Sequence, residues 1–173
     1  SPVNGIKKTH NSYQGCYEFV SITVEDAELE MGGFDFLIAY DASALTLVGA
    51  EAGEFIVDCG WEYFTYRYGP WGNCTGPCPS GFARFVAIAD MNNGPYHPTG
   101  YGGGGQYVDM KFYVTNDRTF ECQYVPIYFF WDDCGDNTVS SVDGEVIEKN
   151  GNSVVLELDT GKILIDNVEY KGK

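Results

Sequence analysis

Asp132, Asp133, Asp136 and Asn137, grouped around Gly135 in the run Asp-Asp-Cys-Gly-Asp-Asn, are the residues whose types and spacing come nearest to a chemical site. Carboxylate and amide oxygens crowded about a glycine turn suit calcium, a hard cation that takes roughly six to eight oxygen ligands. The EF-hand spacing and its closing glutamate are absent, however, and Asp, Gly and Asn are also the residues that form tight turns for backbone reasons alone. Calcium is thus the one ion the sequence suggests, with Asp90, Asn92 and Asn93 a weaker instance of the same composition. No motif requires a cofactor.

Six cysteines, Cys16, Cys59, Cys74, Cys78, Cys122 and Cys134, form a second chemical set. An even count is compatible with up to three disulfides made in an oxidising compartment. Zinc would need two thiolate pairs at short spacing, and this pattern does not supply them. Cys74 and Cys78 lie in a stiff, turn-rich loop where a local bridge is expected, while the overall connectivity stays open. Asn73-Cys74-Thr75 matches the acceptor pattern for N-glycosylation at Asn73.

Signals for catalysis are missing. Histidine occurs only at His10 and His97, without the paired spacing of zinc proteases, and there is no nucleophile elbow, P-loop or dinucleotide fingerprint. The run 102–105 is all glycine but lacks the Lys-Ser/Thr of a phosphate cradle, so it reads as a flexible turn. With 25 acidic residues, some carboxylate pair will meet glycosidase spacing by chance. The expectation is a protein that binds rather than catalyses. Trp61, Tyr63, Tyr66 and Trp71, with Tyr96 and Tyr101 in the next turn-rich segment, are the interaction candidates, because exposed aromatics stack on sugars or anchor interfaces. A formal net charge of −15 repels phosphate backbones and anionic surfaces, which excludes nucleic acid as a partner. No apolar run approaches the roughly 20 residues of a membrane-spanning helix, which excludes membrane insertion by that route.

The elements that must carry these residues are strands. Apolar alternation marks 17–25, 34–41, 45–51, 61–68, 82–89, 106–115 and 122–131, followed by 153–158 and 162–168 around a turn at Asp159 to Gly161. In the first of these, Tyr17 and Phe19 share one face and Val20, Ile22 and Val24 the other. In 61–68 the same rule puts Trp61 with Tyr63, and Phe64 with Tyr66 and Tyr68. No helix of ten residues or more is expected, and the segment 90–105 reads as a long excursion. Nine to ten short strands between glycine-rich turns predict an all-β, antiparallel sandwich of jelly-roll type. Its body spans 17–150, with an N-terminal arm or strand at 1–16 and a C-terminal β-hairpin at 151–173.

The stretch from Gly33 to Phe55 resembles the opening half of a cohesin domain: an alternating strand, then Tyr40-Asp41 and Leu45, then Val48 on a short strand and Gly53 ahead of Phe55. The order of later strands, to Asp143-Gly-Glu-Val-Ile147, is similar. The cysteines, the aromatic segment 61–71, the glycine run and the tail after Asn150 depart from that pattern. This resemblance implies a non-catalytic module binding another protein, dockerin-like or a surface protein, through a sheet face. Two other readings stand beside it: a subunit that assembles with further copies of itself into a filament or layer by strand exchange, and a carbohydrate-binding module. Cysteine usage and acidity point to an extracellular or cell-surface location. A start at Ser1 without Met fits a removed signal peptide or a processed fragment.

Overall fold

The computed structural model describes residues 3–8, 12–70, 78–91, 94–143, 148–149, 152–153, 157–159 and 161–166. In chain order its elements are β1 (Val3–Lys8), β2 (Ser12–Tyr13), β3 (Tyr17–Met31), β4 (Gly33–Tyr40), β5 (Leu45–Ala52), α1 (Glu54–Asp58), β6 (Tyr63–Pro70), β7 (Gly81–Ile88), β8 (Tyr101–Val114), a 3-10 turn (Arg118–Phe120), β9 (Gln123–Phe129), β10 (Thr138–Ser140), β11 (Glu148–Lys149), β12 (Asn152–Ser153), β13 (Glu157–Asp159) and β14 (Gly161–Asp166). Among the described residues, one sheet runs β13-β1-β3-β8-β5. The other runs β2-β14-β9-β4-β7-β6, with β10 also pairing β4, and β11 pairs β12 separately.

Alternation decides which side chains meet between the sheets. Val20, Ile22 and Val24 of β3 and Val108, Met110, Phe112 and Val114 of β8 face Phe34, Phe36, Ile38 and Tyr40 of β4, Phe85 of β7 and Ile127 and Phe129 of β9, all in one buried cluster. Each large apolar side chain so buried stabilises the fold by about 1.5–3 kcal/mol before chain entropy is counted. Tyr107 lies at the centre, edge-on to Phe34 at 5.0 Å and Phe36 at 4.9 Å. Its hydroxyl donates to Asn4 Oδ1 at 2.6 Å, and burial pushes its phenol far above the ordinary range, so it stays neutral.

The antiparallel sandwich is the one expected from the strand pattern, and segments near both chain ends enter its sheets. β1 sits between β13 and β3, so the N-terminal segment is an interior strand. Among the described residues of the C-terminal segment, β13 pairs β1 in one sheet and β14 pairs β9 and β2 in the other. An isolated two-stranded hairpin is marginal in water, whereas open sheet edges offer each short segment a row of unsatisfied donors and acceptors. Both pairings between the chain ends, β1 with β13 and β2 with β14, are parallel.

The glycine run is also ordered into a strand rather than a turn. Gly103 and Gly105 pair with Ala27 and Val24 across register shifts, and Gly103 has φ 118, a backbone conformation that side chains resist. The Tyr-Asp turn explains itself physically. Tyr40 packs edge-on to Phe112 at 5.1 Å, Asp41 Oδ1 accepts from Ser43 N–H at 2.9 Å, and the Asp41 carbonyl accepts from Ala44 and Leu45 N–H. Leu45 enters the core, while Val48 bulges out to solvent. Gly53 is required by close approach, since a Cβ there would lie 1.6 Å from the Gln106 carbonyl oxygen.

Candidate functional site

The Asp-rich turn is knitted into the sandwich by hydrogen bonds. Asp136, 2% exposed, accepts at Oδ2 from the N–H groups of Asp132 (2.8 Å) and Asp133 (2.9 Å). Its Oδ1 lies 2.8 Å from the Arg84 guanidinium, which also meets Asp35 Oδ1 at 2.8 Å. Burial pushes the Asp136 carboxyl upward, but the Asp133 N–H, Arg84 and the Asp132 N–H outweigh it and hold the group below the ordinary carboxylate range. Asn137, with φ 58, accepts from Leu37 N–H and donates to the Phe130 carbonyl, both at 2.8 Å. Asp133 Oδ1 accepts from Gly135 N–H at 2.7 Å. Oxygens of Asp133, Asp136 and Asn137 thus accept from internal donors, and the Arg84 guanidinium lies against Asp136. Among the described residues no group of three or more acidic, His or Cys side chains is placed to hold a metal.

Around Arg84 the outer face of β9-β4-β7-β6 is apolar. Phe82, Val86 and Ile88 of β7 point away from the core, in register with Ala39, Asp35 and Gly33 of β4. Tyr63 lies beside Ile88, Thr65 beside Val86 and Arg67 beside Arg84. Tyr128 lies beside Ala39, and Tyr124 projects farther along β9 with 67% exposure. The result is a surface of mostly apolar side chains about the ion-paired Arg84, with the exposed Arg67 beside it on β6.

The outer face of β13-β1-β3-β8-β5 has a different character. Tyr17 and Phe19 are 54% and 50% exposed, Tyr113 meets Tyr17 edge-on at 5.7 Å, and Lys111 Nζ lies 4.5 Å from the Tyr17 ring centre. Farther along β8, Asp109 Oδ1 accepts from the Ser21 hydroxyl at 2.6 Å, and the Gln106 amide donates to Asp109 at 2.9 and 3.2 Å. Gln106 also lines a groove of 390 Å³ between α1 and the start of β8, with Glu54, Phe55 and Tyr101 among its walls.

The expected interaction aromatics do not form one site. Trp61 follows α1 rather than lying on β6; it is buried against Phe55, and its indole N–H donates to the Thr99 carbonyl at 3.2 Å. Tyr66 faces inward, stacked on Phe85 at 5.8 Å, whereas Tyr63 faces out. Tyr96 is exposed near Gly60, and Tyr101 stacks on Phe55 at 4.3 Å. Trp71, Asn73 and Cys74 lie outside the described residues, as do Asn92 and Asn93. His97 Nδ1 pairs with Asp90 Oδ2 at 2.9 Å on an exposed loop. Of the cysteines, Cys59, Cys122 and Cys134 are free thiols, Cys16 is half-buried ahead of β3, and Cys78 is disulfide-bonded. Cys122 precedes the seven-residue β9, and Cys134 lies in the turn that follows it. Residue order gives no signal for the role of Arg84, because a charge inside an alternating strand looks like any solvent-facing position.

Two face-packed sheets, closed by chain ends that enter both, define a cohesin-like β-sandwich. A chain of the crystal structure of the CaDoc0917–CaCohA2 complex superimposes with TM-score 0.62 at 13% identity, covering 95% of this chain and 99% of that one. The solution structure of CaCohA2 from Clostridium acetobutylicum gives 0.60 at 16% identity, over 95% and 91%. The cohesin module of a Clostridium perfringens family 33 glycoside hydrolase gives 0.59 at 13% identity, over 96% and 99%. At such identity the likeness is one of fold. No family model and no curated protein matches the sequence.

Proposed function

We propose that this chain is a non-catalytic protein-interaction module of an extracellular or cell-surface assembly, and that it docks a dockerin-like or surface protein on the outer face of β9-β4-β7-β6. The observation that carries this reading is the apolar surface of Phe82, Val86, Ile88, Tyr63 and Tyr128 around the Arg84 ion pairs. Interfaces of this kind concentrate their energy in aromatic and arginine side chains within a desolvated centre. The cohesin-like fold supports the same class of function, one similar structure being that of a complex. Surface plasmon resonance against a panel of dockerin modules tests it. Binding that Val86→Arg weakens at least tenfold, with melting temperature unchanged, is the expected result; binding indifferent to Val86→Arg and Ile88→Asp would place the contact elsewhere.

Self-assembly is the second reading, favoured by one observation. The C-terminal strands β13 and β14 each complete a different sheet by pairing elements distant in sequence, which is the geometry that strand exchange between copies reuses. Sedimentation velocity over a wide concentration range separates the two, since a concentration-independent monomer would dismiss assembly.

A further inference from the structure

We propose that the outer face of the five-stranded sheet is a binding track for a neutral polysaccharide, independent of the protein-docking face. Three observations along β3 and β8 converge on that ligand. The first is a platform of exposed rings: Tyr17 and Phe19 are half exposed on β3, with Tyr113 edge-on to Tyr17 at 5.7 Å. Such rings suit the C–H face of a pyranose, which is apolar and flat, while its equatorial hydroxyls need polar partners in the plane of the sheet. The second is a ladder that supplies those partners. Asp109 is held by the Ser21 hydroxyl at 2.6 Å and the Gln106 amide at 2.9 Å, with Glu51 in register across β5. Held this way, the carboxylate is already oriented to accept from sugar hydroxyls.

The third is the groove of 390 Å³ at the far end, where Gln106 meets Phe55 and Tyr101. This volume falls within the range of small-ligand sites. From Tyr113 to Gln106 the track runs about 23 Å at roughly 3.3 Å per residue, enough for an extended chain of several sugar units rather than a single one. β3 and β8 are both paired on each side, so this face offers no free edge to which a peptide strand could add.

Charge selects the class of polymer. Asp109 and Glu51 lie on the track in a chain of net charge −15, which repels uronate-rich or sulfated chains. Lys111, the cation among these side chains, is engaged over the Tyr17 and Phe19 rings at 4.5 and 5.7 Å from their centres. A neutral chain displaces that flexible ammonium to solvent.

Native affinity electrophoresis with soluble hydroxyethylcellulose, mixed-linkage β-glucan, galactomannan and neutral xylan, with polygalacturonate and heparin as anionic controls, tests the proposal. Expected is retardation by at least one neutral polymer and by neither anionic control. Tyr17→Ala and Phe19→Ala should each weaken this at least tenfold, as should Gln106→Ala at an exposed position, while Val86→Arg on the opposite face leaves it unchanged. Melting temperature checks that each variant folds. Absence of retardation by every neutral polymer, retardation that all three track variants leave intact, or retardation by the anionic controls would overturn it.

Discussion

Asn137 stands in for a peptide unit beside Leu37: its Oδ1 accepts from the Leu37 N–H at 2.8 Å, and its Nδ2 donates to the Phe130 carbonyl at 2.8 Å. The Phe130 N–H in turn donates to the Leu37 carbonyl. One side-chain amide therefore fills the gap in β4 between its pairings with β9 and β10. Asn137→Ala leaves a buried N–H and a buried carbonyl unpaired, and is expected to destabilise the fold by about 2–4 kcal/mol. Asn137→Gly keeps the backbone at ease and should lose less, by about 1 kcal/mol. Urea denaturation of both variants separates the hydrogen-bond contribution from the backbone contribution.

Arg84→Met is expected to cost about 2–3 kcal/mol, because it leaves Asp136 buried without its counter-charge. The pH dependence follows from the Asp136 carboxyl, which is held below its ordinary value of 3.8 in the folded chain. A lowered folded value means stability that is fully present above 3.8 and lost as pH falls through the folded value. Acid unfolding curves should therefore be shallower below this point for Asp136→Asn than for the parent. A parallel acid limb in the two proteins would show that Asp136 is not the responsive group.

Calcium is expected to leave the melting temperature unchanged. Asp136 and Asn137 already accept from internal donors, and Arg84 places positive charge 2.8 Å from the Asp136 oxygen. Differential scanning calorimetry with calcium and with chelator checks this, and a shift of several degrees would show that a cation displaces the arginine.

Cys122 and Cys134 are exposed thiols and Cys59 is half-buried. Native alkylation followed by peptide mapping should modify Cys122 and Cys134 rapidly and Cys59 more slowly, since thiolate reactivity follows access as well as ionisation. Protection of the exposed Cys122 or Cys134 would mean that it is paired with another cysteine in solution.

Gly53→Ala should destabilise by at least about 3 kcal/mol, because its Cβ would lie 1.6 Å from a backbone oxygen that cannot move without breaking β8. Gly49→Ala, where nothing lies within 4 Å, is the matched control and should be near neutral. Thermal denaturation of the pair isolates close approach from general loss of glycine.

Much of the sandwich was legible because a strand's period of two is written directly into residue order. Val20, Ile22 and Val24 against Tyr17 and Phe19 already separated core from solvent in β3. The Tyr40-Asp41 turn, Leu45, Gly53 and Phe55 marked the first half of the fold, each for a local reason: a capped turn, a core entry, a close approach, a packed ring. Trp61, which alternation places on β6, instead follows α1, a helix of five residues and too short to show helical periodicity. The partners of Asp136 and Asn137 are not legible in composition, because Arg84, fifty-odd residues earlier, and Leu37 supply donors from distant strands.

From residue order alone came the class, an acidic all-β sandwich of cohesin-like pattern, since alternation and turn chemistry act between near neighbours. Tertiary structure decided the rest: that the chain ends knit both sheets, that the Asp-rich turn is a hydrogen-bonded latch, and that two chemically distinct faces look outward. Those outcomes depend on which strands become neighbours, and pairing between segments about a hundred residues apart is set by the whole packed sandwich rather than by any local run.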